Sequence, residues 1–263
     1  MSGAKTTGGA TAEDLLRAGK RLMLSNSTMG VYAGKATPRQ REFLMGLFEH
    51  ELAYREENKR RRLKRQAAFP CVKGFEGYDW SAASLPPSIT AQDITGLGFV
   101  RRMENLLLYG PVGTGKTHLA IAVGHAACDE GMKVRFVTAS ELVMALVGAR
   151  DAGRLDRMLA DYASNDLTII DEWGYVPIDR DGARLLFQVV SRCYETRSLL
   201  LTTNLEFSKW GSVLTEEQMA TAMIDRLLHH GHVVTFSGES YRIRHAIMKM
   251  GGGDDVEGLP EQI

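Results

Sequence analysis

The 263-residue sequence predicts an α/β fold, in which helices cover both faces of a parallel sheet. Short apolar segments alternate with segments of helical periodicity from residue 105 onward, and a glycine-rich loop joins the first apolar segment to the first helix. A basic stretch of helical periodicity precedes this alternation. Near-continuous apolar strands separated by helices are typical of parallel sheets that are buried on both faces.

The alternating region contains five predicted strands and four predicted helices. The strands are expected at Leu106–Tyr109, Val134–Thr138, Leu167–Asp171, Leu199–Thr203 and His232–Phe236. The helices are expected at about Lys116–Asp129, Ser140–Leu159 with a break near Gly153, Asp181–Glu195 and Thr215–Leu228. Strand length and apolar content separate the two kinds of segment.

The domain organisation follows from composition. Residues 1–10 and 251–263 are small, polar and rich in glycine, which predicts disordered tails. Residues 11–75 are expected to form a small N-terminal all-α domain, and residues 76–250 the α/β domain. An irregular connector is expected over residues 70–98, anchored to the second domain by Phe75, Tyr78 and Trp80.

Two helix starts are visible in the N-terminal domain. Thr11 can cap a short helix with an acidic first turn, and Thr37 can cap a second helix that has Pro38 at its first position and Gln40 completing a capping box. The second helix is expected to carry an apolar face at helical spacing, formed by Phe43, Leu44, Leu47, Phe48 and Tyr54.

Composition excludes several classes of protein. No apolar run approaches a membrane span, and the N-terminus lacks a hydrophobic signal core, so a cytoplasmic protein without a membrane partner is expected. The three cysteines form no C-x-x-C pair, so we expect neither a disulfide framework nor a zinc-cysteine site. Net charge is zero, but residues 1–69 hold 14 Lys and Arg against 7 Asp and Glu, which suggests a polyanionic partner for the basic end.

The glycine-rich loop matches the phosphate-loop pattern G-x-x-x-x-G-K-[ST]. A strand enters it and a helix leaves it, which is the context that this motif requires. Its backbone N–H groups can surround the β- and γ-phosphates, the lysine can supply a cation, and the threonine hydroxyl can bind Mg²⁺. The predicted ATP site comprises Gly110, Pro111, Val112, Gly113, Thr114, Gly115, Lys116, Thr117 and His118.

Two acids follow the third predicted strand. In Leu167–Glu172, Asp171 is positioned to hold Mg²⁺ and Glu172, just outside the strand, to orient and deprotonate an attacking water. A solvated turn is the alternative for such a pair, but the phosphate loop upstream favours a Walker B motif. The pair predicts hydrolysis of the nucleotide as well as binding.

Polar residues also end the fourth predicted strand. Asn204 is the candidate sensor of the γ-phosphate, with Thr203 as the second candidate. A strand-end cap is the alternative for both residues.

These motifs, in this order, resemble the AAA+ ATPases of the IstB/DnaC group. The segment Met223–His230, with sequence MIDRLLHH, belongs to the resemblance, and its part Asp225–His230 is much more specific than the Walker motifs. Trp80 and Gly174–Pro177 also match. Within the group, the sequence is most similar to the IstB family of ATPase helpers, which are encoded beside an IstA-type transposase in insertion sequences.

The resemblance implies a P-loop NTPase core with strand order 5-1-4-3-2 and a homo-oligomer with ATP at subunit interfaces. Arg226 falls at the position of an arginine finger that acts on a neighbouring subunit, and Arg242 at the second-sensor position. A surface ion pair is the alternative for each arginine.

Three further residues near the finger position, His229, His230 and His232, suggest a metal site at first sight. No further ligand pattern completes such a site, and neighbouring positions at a helix end diverge in direction, so none is expected. Trp173 and Tyr175 are expected to pack, with contact to a partner as the alternative.

A run of basic residues near the end of the N-terminal domain is the candidate DNA-binding segment. Three of its members share one helix face at i, i+4 and i+7 spacing, and the run carries no matching acids of its own. Binding of duplex DNA through phosphates would be independent of sequence, whereas an ordinary solvated helix face is the alternative. The segment comprises Arg55, Lys59, Arg60, Arg61, Arg62, Lys64 and Arg65.

The sequence thus predicts an ATPase that assembles on target DNA and stimulates a partner transposase. Three rivals use the same phosphate loop: a DnaC-like loader of a replicative helicase, a small-molecule kinase, and a DNA architectural protein that does not hydrolyse ATP. The acid pair, the Arg226 segment and the basic helix weigh against the kinase.

Overall fold

The computed structural model describes residues 9–175, 178–214, 216–238 and 240. Contacts within the chain divide it into two units, Met1–Arg62 and Leu63–Ile263. This division falls before the predicted boundary near residue 75, which remains a prediction. The predicted tail after residue 250 and most of the predicted tail before residue 11 lie outside the described residues.

The N-terminal unit is helical. Its helices are α1 (Ala12–Arg21), α2 (Asn26–Lys35) and the first part of α3 (Pro38–Ala67). Thr11 caps α1 by accepting a hydrogen bond from the Asp14 backbone N–H, and the Asp14 carboxylate accepts one from the Thr11 backbone N–H. A small apolar core is formed by Leu15, Ala18, Leu22, Met29, Ala33 and Phe48.

The predicted apolar face of α3 is only partly buried. Phe48 lies in the core and Leu44 packs against it, but Phe43 is 74% exposed and Leu47 54%. Two short helices cover only the narrow stripe of α3 at i, i+4 spacing that contains Leu44 and Phe48, so side chains off that stripe remain in solvent. Tyr54, the fifth predicted member, is exposed as well.

The second unit contains one six-stranded sheet. Its strands are β1 (Ala83–Ser84), β2 (Asn105–Tyr109), β3 (Val134–Thr138), β4 (Leu167–Trp173), β5 (Ser198–Thr203) and β6 (Gly231–Phe236). They are arranged in the order β1-β6-β2-β5-β4-β3, and every pair is parallel except β1 with β6. The predicted order 5-1-4-3-2 is therefore confirmed for the five parallel strands, with the short β1 added at one edge.

Eight α-helices that lie wholly in the second unit are described. They are α4 (Ala91–Thr95), α5 (Gly98–Arg101), α6 (Lys116–Asp129), α7 (Ala139–Asp151), α8 (Leu155–Ala163), α9 (Arg180–Cys193), α10 (Trp210–Val213) and α11 (Glu217–His229). The helix break expected near Gly153 is present, because this residue has a φ of 67° between α7 and α8. Thr215, the predicted start of α11, lies outside the described residues.

The connector is more ordered than the sequence predicts. It contains β1 and α4, and α5 begins at its last residue. α4 begins with a capping box, in which the side chains of Thr90 and Asp93 each accept a hydrogen bond from the backbone N–H of the other residue. Helices of four or five residues are too short to show a period, but this capping box was a visible signal. Phe75, Tyr78 and Trp80 pack against the core of the second unit.

Two apolar cores lie on the opposite faces of the sheet. Successive residues of β2 alternate between them, since Leu107 belongs to one core and Leu106 and Leu108 to the other. Burial of each such leucine stabilises the fold by about 1.5–3 kcal/mol. The central strand β2 leads directly into the phosphate loop, so this packing fixes the start of the loop.

The cysteines match the sequence expectation of unpaired thiols. Cys71 is exposed, whereas Cys128 and Cys193 are buried. Burial raises the pKa of Cys128 to about 12 and that of Cys193 to about 11.

None of the helices that the structure describes has both the length and the apolar composition needed to cross a membrane.

Candidate nucleotide site

The phosphate loop joins β2 to α6 in a conformation that requires glycine. Gly110 has a φ of 148°, and a Cβ added there would lie 2.3 Å from the backbone oxygen of Phe236. Gly115, with a φ of 99°, is the N-cap of α6. The loop therefore ends at the N-terminus of α6, a helix of 14 residues. The free backbone N–H groups and the helix dipole at such an N-terminus favour the binding of an anion.

The Lys116 ammonium lies inside this loop. Its side chain is buried, and Nζ donates hydrogen bonds to the backbone oxygens of Gly110 at 2.7 Å and Pro111 at 2.6 Å. Thr114 Oγ1 donates to the same Pro111 oxygen at 2.8 Å. The cation is thus held at the centre of the loop by backbone dipoles.

The acid of the predicted metal site lies beside the loop. Thr117 Oγ1 donates to Asp171 Oδ1 at 3.0 Å, and Thr202 Oγ1 donates to the same carboxylate oxygen. Asp171 is buried at the carboxyl end of β4, next to β5. The structure therefore brings together the hydroxyl of the phosphate loop and the buried carboxylate after β4, the two predicted metal ligands.

Glu172 differs from the prediction in one respect. We expect it outside the strand, but β4 continues to Trp173, and its register with β5 shifts between Ile170 and Trp173. Glu172 occupies this irregularity with a φ of 59°, and its side chain is exposed. Such a bulge re-aims a side chain at the edge of a sheet, which here separates the exposed Glu172 from the buried Asp171.

Thr202 is a site residue that the sequence did not indicate in advance. Its hydroxyl accepts a hydrogen bond from the Glu172 backbone N–H at 3.1 Å while donating to Asp171, so one buried side chain contacts both acids. The signal in the sequence was a hydroxyl residue inside an otherwise apolar strand, one position before Thr203.

The two predicted sensor residues have different environments. Asn204 is exposed immediately after β5. Thr203 is buried, and its hydroxyl donates to the Trp173 backbone oxygen at 2.7 Å and accepts from the Leu205 N–H at 3.0 Å. Because the Thr203 side chain is occupied by these structural bonds, Asn204 is the better candidate of the two.

The connector contributes an aromatic side chain to the loop. Tyr78 Oη donates to the Gly115 backbone oxygen at 3.4 Å, and its ring centroid lies 5.2 Å from that of His118. Burial is the main cause that raises the pKa of the Tyr78 hydroxyl above its usual value. His118 also contacts the Gly74 backbone oxygen through Nε2 at 3.0 Å, so it ties the connector to the first turn of α6.

Arg226 lies on α11, where its guanidinium stacks over the Phe187 ring at 4.4 Å from the ring centroid. Its Nη1 is buried and has no hydrogen-bond partner among the described residues. A planar cation held on an aromatic face keeps its hydrogen-bonding capacity for another acceptor. No ion pair occupies Arg226 in the part of the chain that the structure describes. Arg242, the predicted second sensor, lies outside that part.

The histidine segment is arranged differently from the expectation. His232 is a structural residue, because Nδ1 lies 2.8 Å from Ser88 Oγ and Nε2 lies 3.1 Å from Glu104. His229 and His230 do not diverge: they come together with Glu195, a residue that the sequence pattern does not connect with them.

The basic segment of α3 is partly paired, against the expectation that it lacks matching acids. Arg55 contacts Glu51 at 2.7 Å and Arg61 contacts Glu57 at 2.9 Å, both at i, i+4 spacing, because the acids one turn earlier lie on the same side of the helix. Lys64 contacts Asp129 at 2.6 Å. Four exposed members have no ion pair in the described chain, namely Lys59, Arg60, Arg62 and Arg65.

Of the two aromatic residues after the acid pair, Trp173 is buried and packs against Trp210, with ring centroids 5.3 Å apart. Packing is therefore confirmed for Trp173. Tyr175 is 39% exposed.

A cavity of about 600 Å³ opens beside the acid pair, and Arg135, Glu141 and Tyr162 contribute to its lining.

The strand order, the phosphate loop and the acid pair at the adjacent strand end define a P-loop NTPase with the AAA+ arrangement of strands. The family model described as IstB-like ATP binding protein matches residues 23–248. The chain belongs to this family of insertion-sequence ATP-binding proteins, which confirms the resemblance seen in the sequence.

Relatives within insertion sequences are similar over most of their length. The ATP-binding protein of IS5376 from Geobacillus stearothermophilus is 38% identical over 83% of this chain and 87% of its own. The corresponding protein of IS21 from Pseudomonas aeruginosa is 38% identical over 81% of this chain and 80% of its own. The solved DnaC helicase loader has a TM-score of 0.49 and 17% identity, over 62% of this chain and 96% of that one.

Proposed function

We propose that this protein hydrolyses ATP at the interfaces of a homo-oligomer that assembles on duplex DNA and stimulates the transposase of its insertion sequence. The observation that carries the proposal is the acid pair: a buried Asp171 bonded to Thr117, next to an exposed Glu172 at the edge of the sheet. Nucleotide binding alone does not require the second acid, whereas activation of water does.

The proposed chemistry uses the residues as the structure places them. Lys116 and the loop N–H groups bind the β- and γ-phosphates, and Asn204 contacts the γ-phosphate. Glu172 accepts the proton of the attacking water. Thr117 and Asp171 offer hard oxygen ligands 3.0 Å apart, a donor set that suits Mg²⁺. Bound there, the ion would neutralise charge on the phosphates.

The environment of Arg226 supports the proposed assembly. Its guanidinium lies over the Phe187 ring and has no ion pair in the part of the chain that the structure describes, which supports a role for its charge at the phosphate of a neighbouring subunit. The relatives are proteins of insertion sequences, which supports a transposase of the IstA type as the partner.

DNA binding is proposed for the unpaired part of the basic helix. Lys59, Arg60, Arg62 and Arg65 are exposed without an acid partner in the described chain, so their charges are available to phosphates. Contacts of this kind add affinity that falls steeply with salt and is independent of sequence.

A matched pair of double variants tests DNA binding. Lys59→Ala/Arg62→Ala removes two unpaired cations, and the log–log salt slope of duplex binding should fall by about 0.9 for each phosphate that is no longer neutralised. Arg55→Ala/Arg61→Ala removes two cations already paired with acids, so its slope should stay at the wild-type value. Fluorescence anisotropy at several salt concentrations measures both slopes, and equal slopes for the two variants would contradict the proposal.

The same preparation distinguishes the rival functions. Preference for single strands together with capture of a replicative helicase would support the loader. Transfer of phosphate to an added metabolite would support a kinase. Absence of phosphate release, with and without DNA, would leave only an architectural role.

Thr202 provides a further test of the proposed hydrolysis. Thr202→Val keeps the shape of the side chain but removes the hydroxyl that contacts both acids, so kcat should fall about 10²-fold through misplacement of Glu172. Thr202→Ser keeps the hydroxyl and should restore most of the rate. Affinity for ADP without Mg²⁺, measured by calorimetry, should not change in either variant, and wild-type kcat in the valine variant would exclude the role.

A further inference from the structure

Three potential metal ligands meet on the surface of the second unit, outside the nucleotide site. Glu195, His229 and His230 are exposed, and one ligand atom of each lies within 4.8 Å of the others. His230 Nε2 is 3.1 Å from Glu195 Oε1. The ring centroids of His229 and His230 are 4.3 Å apart. The distance between His230 Nε2 and Glu195 Oε1 is close to that between two ligands of one small cation.

The backbone beneath this cluster is fixed by one buried residue. Asn105, the first residue of β2, donates from Nδ2 to the Leu227 oxygen at 3.2 Å and from its backbone N–H to the His230 oxygen at 2.7 Å. Its Oδ1 accepts from the Leu199 N–H at 2.9 Å, at the start of β5. The end of α11 and the start of β5 are therefore bonded to the same residue, so the ligands lie on rigid supports.

A second residue orients one of the imidazoles. Tyr194, which precedes Glu195, places its hydroxyl 2.9 Å from His229 Nδ1. This contact orients the ring and leaves the other ring nitrogen, Nε2, for a cation. Glu195 itself has a φ of 57°, a conformation that favours glycine, yet the sequence has a carboxylate there.

We propose that Glu195, His229 and His230 form a Zn²⁺ site. Two imidazoles and one carboxylate suit a borderline divalent ion better than Mg²⁺, which prefers oxygen ligands alone. Because all three side chains are exposed, water completes the coordination, as in zinc sites with three protein ligands.

The bound ion would join the end of α11 to the turn after α9. α11 carries Arg226 one turn before His229, and Phe187 of α9 supports that arginine. Zinc would therefore fix the helix that bears Arg226, the proposed arginine finger. An effect of zinc on ATP hydrolysis is expected only if the proposed function holds. Binding itself does not depend on it and is measured without nucleotide.

A zinc titration of the nucleotide-free full chain tests the site. All proteins carry Cys71→Ser, because Cys71 is an exposed thiol that could bind zinc elsewhere. Competition with a chromophoric chelator should give one equivalent of Zn²⁺ for the parent. Affinity should fall at least about tenfold in His230→Ala and in Glu195→Gln, and about tenfold in Tyr194→Phe, which keeps all three ligands but removes the hydroxyl that contacts His229.

The matched control is His50→Ala, which removes an exposed histidine from the N-terminal unit and should bind zinc like the parent. Zinc should also slow hydrogen exchange of backbone amides in residues 224–231 of the parent but not of His230→Ala. Zinc binding that is equally tight in the parent, His230→Ala and Glu195→Gln would overturn the proposal, as would no binding by the parent.

Discussion

An Arg226→Ala variant is expected to lose about 10³–10⁵-fold in the rate of ATP hydrolysis while still binding ATP, which is the range found for arginine fingers. The Arg226 guanidinium lies over the Phe187 ring, and its buried Nη1 has no hydrogen-bond partner among the described residues. The substitution therefore removes a positioned cation and leaves the phosphate loop of the same subunit unchanged. Phosphate release at saturating ATP measures the rate, and Arg226→Lys should not restore it, since lysine lacks the planar fork.

Mixing experiments decide whether Arg226 acts on a neighbour. Arg226→Ala subunits keep an intact phosphate loop, whereas Lys116→Ala subunits keep the finger, so a mixture should recover part of the activity that each lacks alone. Arg192→Ala, which removes an exposed cation of α9 paired with Asp156, is the control for loss of charge and should be fully active. Absence of recovery in the mixture would contradict action between subunits.

Glu172→Gln is expected to reduce kcat by about 10²–10⁴-fold and to leave ATP affinity close to the wild-type value. Glutamine has the shape of glutamate but cannot accept the proton of water, and the exposed Glu172 side chain makes no hydrogen bond in the described structure that the exchange would break. The variant should therefore trap the ATP-bound state. Single-turnover hydrolysis and equilibrium binding of a fluorescent ATP analogue measure the two quantities separately.

Glu206→Gln serves as the matched control for this variant. Glu206 is exposed shortly after β5 and pairs with Lys209, so its loss removes one carboxylate near the same sheet edge without touching the acid pair. Wild-type kcat is expected. A Glu172→Gln protein as fast as this control would exclude Glu172 as the base.

The parallel sheet could be predicted from the sequence because its strands carry their signal locally. Each of the five predicted strands is a largely apolar run, and a strand buried on both faces needs such a run. The phosphate loop could be recognised for the same reason, since its motif consists of contiguous residues. The short β1, α4 and α5 gave no comparable period.

The features that the sequence did not predict depend on contacts between distant parts of the chain. Thr202 and Asp171 are 31 positions apart and meet only because β4 and β5 are neighbours. Glu195 and His230 are 35 positions apart and meet where α9 and α11 end. Neither the Thr202–Asp171 contact nor the Glu195–His230 contact can be predicted from a period or a motif along the chain. The partners of the basic helix were missed differently: Glu51 and Glu57 stand one turn before Arg55 and Arg61, inside the range of helical pairing.

The position of Lys116 has a consequence for the thermodynamics of binding. Its ammonium already donates to the backbone oxygens of Gly110 and Pro111, so phosphate oxygens must replace neutral acceptors that are present before the ligand arrives. Binding of a phosphate by this lysine would therefore exchange hydrogen bonds. The binding enthalpy would contain only the difference between the bonds to phosphate and the bonds to the backbone oxygens. A charge-assisted bond is roughly twice as strong as a neutral one, so the exchange favours ligands that bring negative oxygens deep into the loop. Nucleosides and monophosphates that do not extend to Lys116 would gain nothing from it, so the proposed site is expected to select ligands by the length of the phosphate chain.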